Sequence, residues 1–177
     1  MLTDRTDDEL MLLARGGVEG AFDALIRRHQ GRLLRLALAY TGSPALAADI
    51  AQDTFVALFR ALPQYRAQGK FSAYVYSLLL NQCRMTQRAA RTEARALDVL
   101  SREQNSTSSD VLRQEYRRDL EAALQGLSAK LRDAVLLRFA ADLGFDEVAE
   151  TLAIPVGSAK RRVFDAMAKL RDLLGES

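Results

Sequence analysis

Residues 145–174, FDEVAETLAIPVGSAKRRVFDAMAKLRDLL, decide the fold. Phe145, Val148, Ala149 and Leu152 recur at helical spacing, and Ala153-Ile154-Pro155 then interrupts the pattern, because proline cannot continue a helix but can open the next one. The second helix opens at Pro155 with an apolar stripe of Val156, Ala159, Val163, Met167, Leu170 and Leu174. At 3.6 residues per turn Ser158, Arg161, Phe164 and Asp165 project from the opposite side, flanked by Lys160 and Arg162. Two helices joined by a tight turn, the second carrying cations clear of its buried stripe, suit insertion into a DNA major groove. Gly157 and Ser158 keep the entrance of that helix small. The same pattern also fits a helical hairpin with a solvated charged face, so the remainder of the chain has to arbitrate.

The 177 residues allow one domain or two small ones, and a hydrophobic content of 49% is ample for a core. Only three prolines, and long segments rich in Ala, Leu and Arg, predict an all-α protein without significant strands. No apolar run is long enough to cross a bilayer, and the first residues are acidic and polar where a signal peptide is basic and then apolar, which predicts a cytoplasmic protein without membrane insertion. A single cysteine, Cys83, excludes an internal disulfide, and with the single histidine, His29, it leaves too few soft ligands for a structural zinc site. His29 falls on the apolar stripe Phe22, Leu25, Ile26, Leu33, Leu36, Tyr40, which predicts a structural role, and Cys83 reads as a packing residue. No nucleophile has an evident base and no glycine-rich phosphate loop is present, so the expectation is no enzyme, no catalytic residue, no metal and no cofactor.

Thr6 and Glu9 have the spacing of a capping box, predicting a first helix from Asp7 to about Arg15 that stops at Gly16-Gly17. A second helix is predicted over Val18–Tyr40. Ser43 then caps a third, opened by Pro44 and running to about Leu62, with Leu46, Ile50, Phe55 and Phe59 as its expected core positions. Pro63 and Gly69 bound a loop, after which Phe71, Val75, Leu78, Leu79 and Gln82 mark one side of a fourth helix reaching at least Ala90. Residues 95–111, with Ser101, Asn105, Ser106, Thr107, Ser108 and Ser109 at their centre, read as a flexible polar linker. Beyond it a helix over Leu112–Gln125 and another from Ser128 to about Ala140 precede the helix-turn-helix. The predicted division is therefore residues 1–94, a linker over 95–111, and residues 112–177.

Charge is distributed unevenly. Residues 60–95 carry seven cations against one anion, whereas residues 1–30 carry four against six, so one surface suits nucleic acid and another a protein partner. On the fourth helix Tyr74, Ser77, Asn81, Arg84, Arg88 and Arg91 share an arc of roughly 100° beside the apolar stripe. An aromatic ring interleaved with arginines suits unstacked bases and their backbone. A solvated amphipathic helix would show the same pattern.

Three segments in this order resemble the extracytoplasmic-function group of bacterial RNA polymerase sigma factors. AFDALIRRHQGRLLRLALAYTGSPALAADIAQDTFVALFRAL, residues 21–62, is similar to the core-binding helices of that family, FSAYVYSLLLNQCRMTQRA, residues 71–89, to its strand-separating helix, and LSAKLRDAVLLRFAADLGFDEVAETLAIPVGSAKRRVFDAMAKLRDLL, residues 127–174, to its domain for the minus-thirty-five element. The resemblance implies a region 2-like bundle and a region 4-like helix-turn-helix. It places Asp49, Gln52, Asp53 and Phe55 where the family binds the clamp helices of the polymerase largest subunit. It matches the loop from Pro63 to Lys70, Tyr74 and Asn81 to the minus-ten reader, with Arg84 and Arg88 on the same rail, and Ser158, Lys160, Arg161, Arg162 and Phe164 to the minus-thirty-five reader. Core RNA polymerase, promoter DNA as duplex and as melted strand, and an anti-sigma protein are the implied partners. The chain departs from the family with Tyr74 in place of a common tryptophan, Ser77 and Leu80 in place of basic residues, and Asp165 and Met167 at positions often basic, which implies differently tuned strand separation and upstream preference.

Two other readings remain at this point: a helix-turn-helix regulator that binds duplex DNA without polymerase, and a sigma-like decoy that binds a regulator and no DNA. The basic rail argues against the first. Ser77, Leu80 and Asp165 are the features that favour the second.

Overall fold

The computed structural model describes residues 2–97 and 111–175, with eight α-helices, two short 3-10 turns and no strand among the described residues. The helices are α1 (Asp7–Arg15), α2 (Ala21–Thr41), α3 (Pro44–Ala61), α4 (Phe71–Leu97), α5 (Val111–Gly126), α6 (Ala129–Phe139), α7 (Phe145–Leu152) and α8 (Val156–Leu174). Most of the predicted linker, residues 98–110, lies outside the described residues, as does the side chain of Arg91. None of the helices is long and apolar enough to cross a membrane.

Local chemistry sets most boundaries. The capping box forms as predicted: Glu9 N–H donates to Thr6 Oγ1 at 3.2 Å and Thr6 N–H to Glu9 Oε2 at 2.7 Å. The second helix begins three residues later than predicted, since Gly20 sits at φ 76° in the left-handed region and turns the chain immediately before Ala21. Gly42, at φ 70°, ends it with its N–H on Leu38 O, and Ser43 Oγ then accepts from Leu46 N–H to open α3. Ser128 occupies the N-cap of α6 with extended backbone but makes no side-chain cap bond. Between α7 and α8 the sharp corner depends on Ala153, whose φ of 52° is left-handed although it is not glycine, and Pro155 is the N-cap, with α8 starting at Val156.

α1 to α4 form one bundle, centred on Leu10, Met11, Leu25, Leu33, Leu36, Leu58, Tyr76 and Leu79, all fully buried. α5 to α8 form a second around Leu137, Leu143, Val148, Ala159 and Ala166. The two bundles are packed together rather than merely tethered: α7 lies along α4, α6 reaches α2, and the buried apolar residues make one continuous core. His29 is buried as expected, its Nε2 2.9 Å from Asp7 Oδ2, and Cys83 is buried within α4, where desolvation pushes its thiol up to about 12.

Three expected core positions lie outside the core. Leu46 and Phe59 on α3 are exposed, because the core side of that helix is taken by Ala47, Ile50, Ala51, Thr54 and Leu58, one third of a turn away. On α8 Met167 stands at the margin and Ala166 takes the buried slot, the small side chain allowing close approach of α6.

Candidate nucleic-acid interface

Apart from Leu46, the large exposed apolar residues of α2 and α3 share one location. Phe22, Ile26 and Leu34 of α2 face Phe55, Val56 and Phe59 of α3 across an open groove, with Gln30, Gln52 and Arg60 at its edges. The rings of Phe22 and Phe59 meet edge to face at 5.2 Å, and Phe59 remains 58% exposed. Asp49 and Asp53 are exposed on the same helix, and Phe55 is half-buried in the groove. Of the four residues expected to contact polymerase, Gln52 and Phe55 line the apolar trough, whereas Asp49 and Asp53 are exposed on the same helix outside it. Contiguous exposed rings of this kind mark a protein-binding surface. Sequence reasoning placed Phe59 in the core, because α3 is apolar on more than one face and periodicity alone does not say which face is covered.

A second site lies at the N-terminal end of α4. Here the α3–α4 loop and the first turn of α4 form a polar cavity lined by Gln64, Tyr65, Arg66, Gln68, Lys70 and Tyr74. Tyr65 and Tyr74 stand with ring centroids 5.9 Å apart, and Tyr65 also meets Phe71 edge to face. The loop is fastened to α1: one oxygen of Asp8, Oδ1, accepts from Tyr65 O–H at 2.7 Å and from Gln68 N–H at 3.2 Å, while Arg15 donates to Tyr65 O. Burial and the Asp8 carboxylate together hold the Tyr65 hydroxyl well above its usual range, so it stays a donor. Such a cavity, with two aromatic rings and two cations at its wall, suits a base taken out of its stack beside a phosphate. The partners in the Asp8 contact are 57 or more residues apart in the chain, and no local pattern announces it.

Along α4 the expected arc divides. Tyr74 is half-buried, Asn81 and Arg88 are exposed, and Ser77 Oγ donates to Tyr74 O. Arg84 is not open to a ligand in this arrangement: it donates to Asp133 Oδ2 of α6 at 2.5 Å and to Asn81 Oδ1 at 3.4 Å. Burial alone would weaken its charge, and the Asp133 carboxylate more than offsets that.

The α8 face is open. Arg161 has 85% of its side chain exposed and Phe164 is 69% exposed, with Ser158 and Lys160 exposed in the preceding turn. Lys160 Nζ lies 5.7 Å from the Phe145 ring, which Arg138 also approaches, so the start of α7 gathers cations at the edge of the face. Asp165 stands one turn after Arg161 with its Oδ2 3.9 Å from Arg161 Nε. Of the five residues expected to read DNA here, Ser158, Lys160, Arg161 and Phe164 share this face, whereas Arg162 is half-buried and turned to the cleft against α4.

Two family models match the chain. Residues 25–93 match the model for sigma-70 region 2, and residues 117–170 that for sigma-70, region 4. The RNA polymerase sigma factor CarQ of Myxococcus xanthus is 31% identical over 92% of this chain and 94% of its own length. The RNA polymerase sigma-H factor of Pseudomonas aeruginosa is 28% identical over 94% of this chain and 92% of its own. Among solved structures, CnrH in complex with the cytosolic domain of CnrY superposes with a TM-score of 0.71 at 26% identity, covering 97% of this chain and 99% of that one. RpoE of Bartonella quintana, solved with the anti-sigma factor NepR, has the same fold, with a TM-score of 0.67 at 22% identity over 89% of this chain and 99% of that one. The chain belongs to the extracytoplasmic-function group of the sigma-70 family of bacterial RNA polymerase sigma factors.

Proposed function

We infer that this chain is the promoter-specificity subunit that joins core RNA polymerase and directs initiation by recognising minus-ten and minus-thirty-five elements. The observation that carries the reading is the presence, on one chain, of three separate surfaces of matched chemistry: the apolar trough of α2 and α3, the aromatic and cationic cavity that opens onto α4, and the exposed cationic face of α8. In this reading residues 1–94 hold polymerase and the opened minus-ten strand, and residues 112–177 hold the upstream duplex. Asp49, Gln52, Asp53 and Phe55 dock the clamp helices. Tyr74, Asn81, Arg84 and Arg88 follow the melted strand from the cavity along α4. Ser158, Lys160, Arg161 and Phe164 enter the major groove, with Arg162 joining them once the cleft opens. The protein acts in the cytoplasm and has no catalysis of its own. An anti-sigma protein is its expected regulator; the similar CnrH was solved in complex with the cytosolic domain of CnrY.

Core-dependent transcription from a randomised promoter library, with purified protein and core polymerase, tests the reading. Enrichment of paired upstream and downstream elements is expected. A regulator independent of polymerase would bind the upstream duplex alone and give no transcripts, and a decoy would do neither.

A further inference from the structure

We propose that Asp8, on α1, is a positioning residue for the minus-ten reader: by pinning Tyr65 and the backbone of Gln68 it sets the cavity in which one unstacked base is read. The proposal rests on the promoter reading above and gives α1 a part in base choice. α1 precedes residues 25–93, the segment that matches sigma-70 region 2.

The Asp8 carboxylate is spare to its own helix. Thr6 and Glu9 close the capping box at the start of α1, and Asp7 and Glu9 still face the helix N-terminus when Asp8 is lost. Asp8 turns instead to the α3–α4 loop, where a single oxygen, Oδ1, accepts from both Tyr65 O–H at 2.7 Å and Gln68 N–H at 3.2 Å. Arg15, the last residue of α1, donates to Tyr65 O at 3.0 Å. At 1.5 Å per residue Asp8 and Arg15 stand about 10 Å apart along the helix. Tyr65 is therefore held at its hydroxyl by the start of α1 and at its carbonyl by the end.

That grip fixes what a base would meet. Tyr65, 8% exposed, carries its ring 5.9 Å from that of Tyr74 and 6.4 Å from that of Phe71. Gln68 is exposed and lines the same cavity. With its N–H pinned, its side chain starts from one place, and a glutamine amide can meet a base edge with a donor and an acceptor together. Gly69 follows at φ 68°, in the left-handed region, and turns the chain away toward α4. A recognition group held from behind by hydrogen bonds keeps the sub-ångström placement that discrimination requires, whereas one on an unpinned loop does not. Asp8 is not among the residues that line the cavity, so it acts through Tyr65 and Gln68.

The test separates hydrogen bonding from charge. Both donors meet one oxygen, so Asp8→Asn keeps an acceptor for them and Asp8→Ala removes it, whereas a role in the helix dipole would make the two variants alike. Tyr65→Phe keeps the ring and removes one donor. Each protein is assembled with core polymerase and transcribes a promoter library randomised in both elements, and urea unfolding of each free chain checks the fold. In Asp8→Ala the ratio of best to next base at one minus-ten position is expected to fall about fivefold or more, at the position that Gln68→Ala also relaxes, with the upstream preference unchanged. Tyr65→Phe should show a smaller fall, and Asp8→Asn should stay within about twofold of the parent protein. A minus-ten preference that Asp8→Ala leaves within about twofold of the parent overturns the proposal and leaves the promoter reading standing; so does a loss that Asp8→Asn shares, or one spread evenly over both elements. Should Asp8→Ala fail to fold, an unchanged preference in Tyr65→Phe overturns it equally. A parent protein that shows no minus-ten preference rejects the promoter reading, and this proposal with it.

Discussion

Phe59→Ala isolates what the α2–α3 trough contributes to polymerase binding. A phenylalanine side chain presents about 200 Å². With 58% of the residue exposed, about 115 Å² remains to be covered by a partner, which at about 25 cal/mol per Å² amounts to about 3 kcal/mol, or roughly a 150-fold change in affinity. The part already buried, against Phe22 at 5.2 Å, is smaller, so the free variant should lose only about 2 kcal/mol of stability, below the usual cost of truncating a core ring. Association with core polymerase, followed by titrating a fluorescently labelled protein, should weaken by about two orders of magnitude while the circular dichroism spectrum is retained. Reversing the nearby carboxylates with Asp49→Lys and Asp53→Lys should act differently, slowing association mainly at low salt, because rim charges steer the encounter. If Phe59→Ala binds core within about twofold of the parent protein, the trough is not the docking surface and the argument from exposed rings fails.

The DNA-facing residues and one internal ion pair give further outcomes. Tyr74→Ala should impair promoter opening, read as loss of permanganate reactivity around the minus-ten region, by about 1–3 kcal/mol if a base rests on the ring; normal opening would leave the cavity without that role. Lys160→Ala should weaken binding on all upstream sequences and lower the salt slope by about one unit, whereas Arg161→Ala should cost about 1–3 kcal/mol on the preferred element and relax one base position, both measurable by selection from randomised duplexes. The Asp7 carboxyl is opposed by burial, which alone would raise it, but His29 and Arg28 hold it below its ordinary value of 3.8. Its stabilising contribution is therefore complete above that value and lost as pH falls through the lower folded-state value, so Asp7→Asn should reduce urea stability at pH 7, and by progressively less as the pH is taken below 3.8.

Helices were legible wherever the chain carries its own punctuation. Thr6 with Glu9, Ser43 with Pro44, and Pro155 each fixed a start within a residue, because capping depends on neighbours only a few positions away. The start of α2 was misplaced since Val18 satisfies apolar periodicity, and only the left-handed backbone at Gly20 separates it from the helix. Faces were harder. On α3 the small residues Ala47 and Ala51 turn inward and Phe59 outward, so hydrophobicity alone points to the wrong side. What decides is the neighbour each face meets: α3 packs on α2 and α4 with its core side, whereas the side that forms the trough together with α2 stays open.

The same reasoning explains which part of the site stayed hidden. Arg161 and Phe164 could be placed on the DNA face from helical angle alone, since nothing covers them. Arg84 shares its arc with Tyr74 and Asn81 just as clearly, yet its charge is engaged by Asp133, 49 residues further along the chain. Nor does sequence mark Asp133 as buried, because a carboxylate in a solvated helix has the same local pattern. A surface arginine pair is worth little in water, whereas a carboxylate only 3% exposed depends on the partners buried with it. Periodicity can therefore assign a side chain to a face, but whether that face meets DNA, polymerase or the chain itself is settled by contacts that close over dozens of residues.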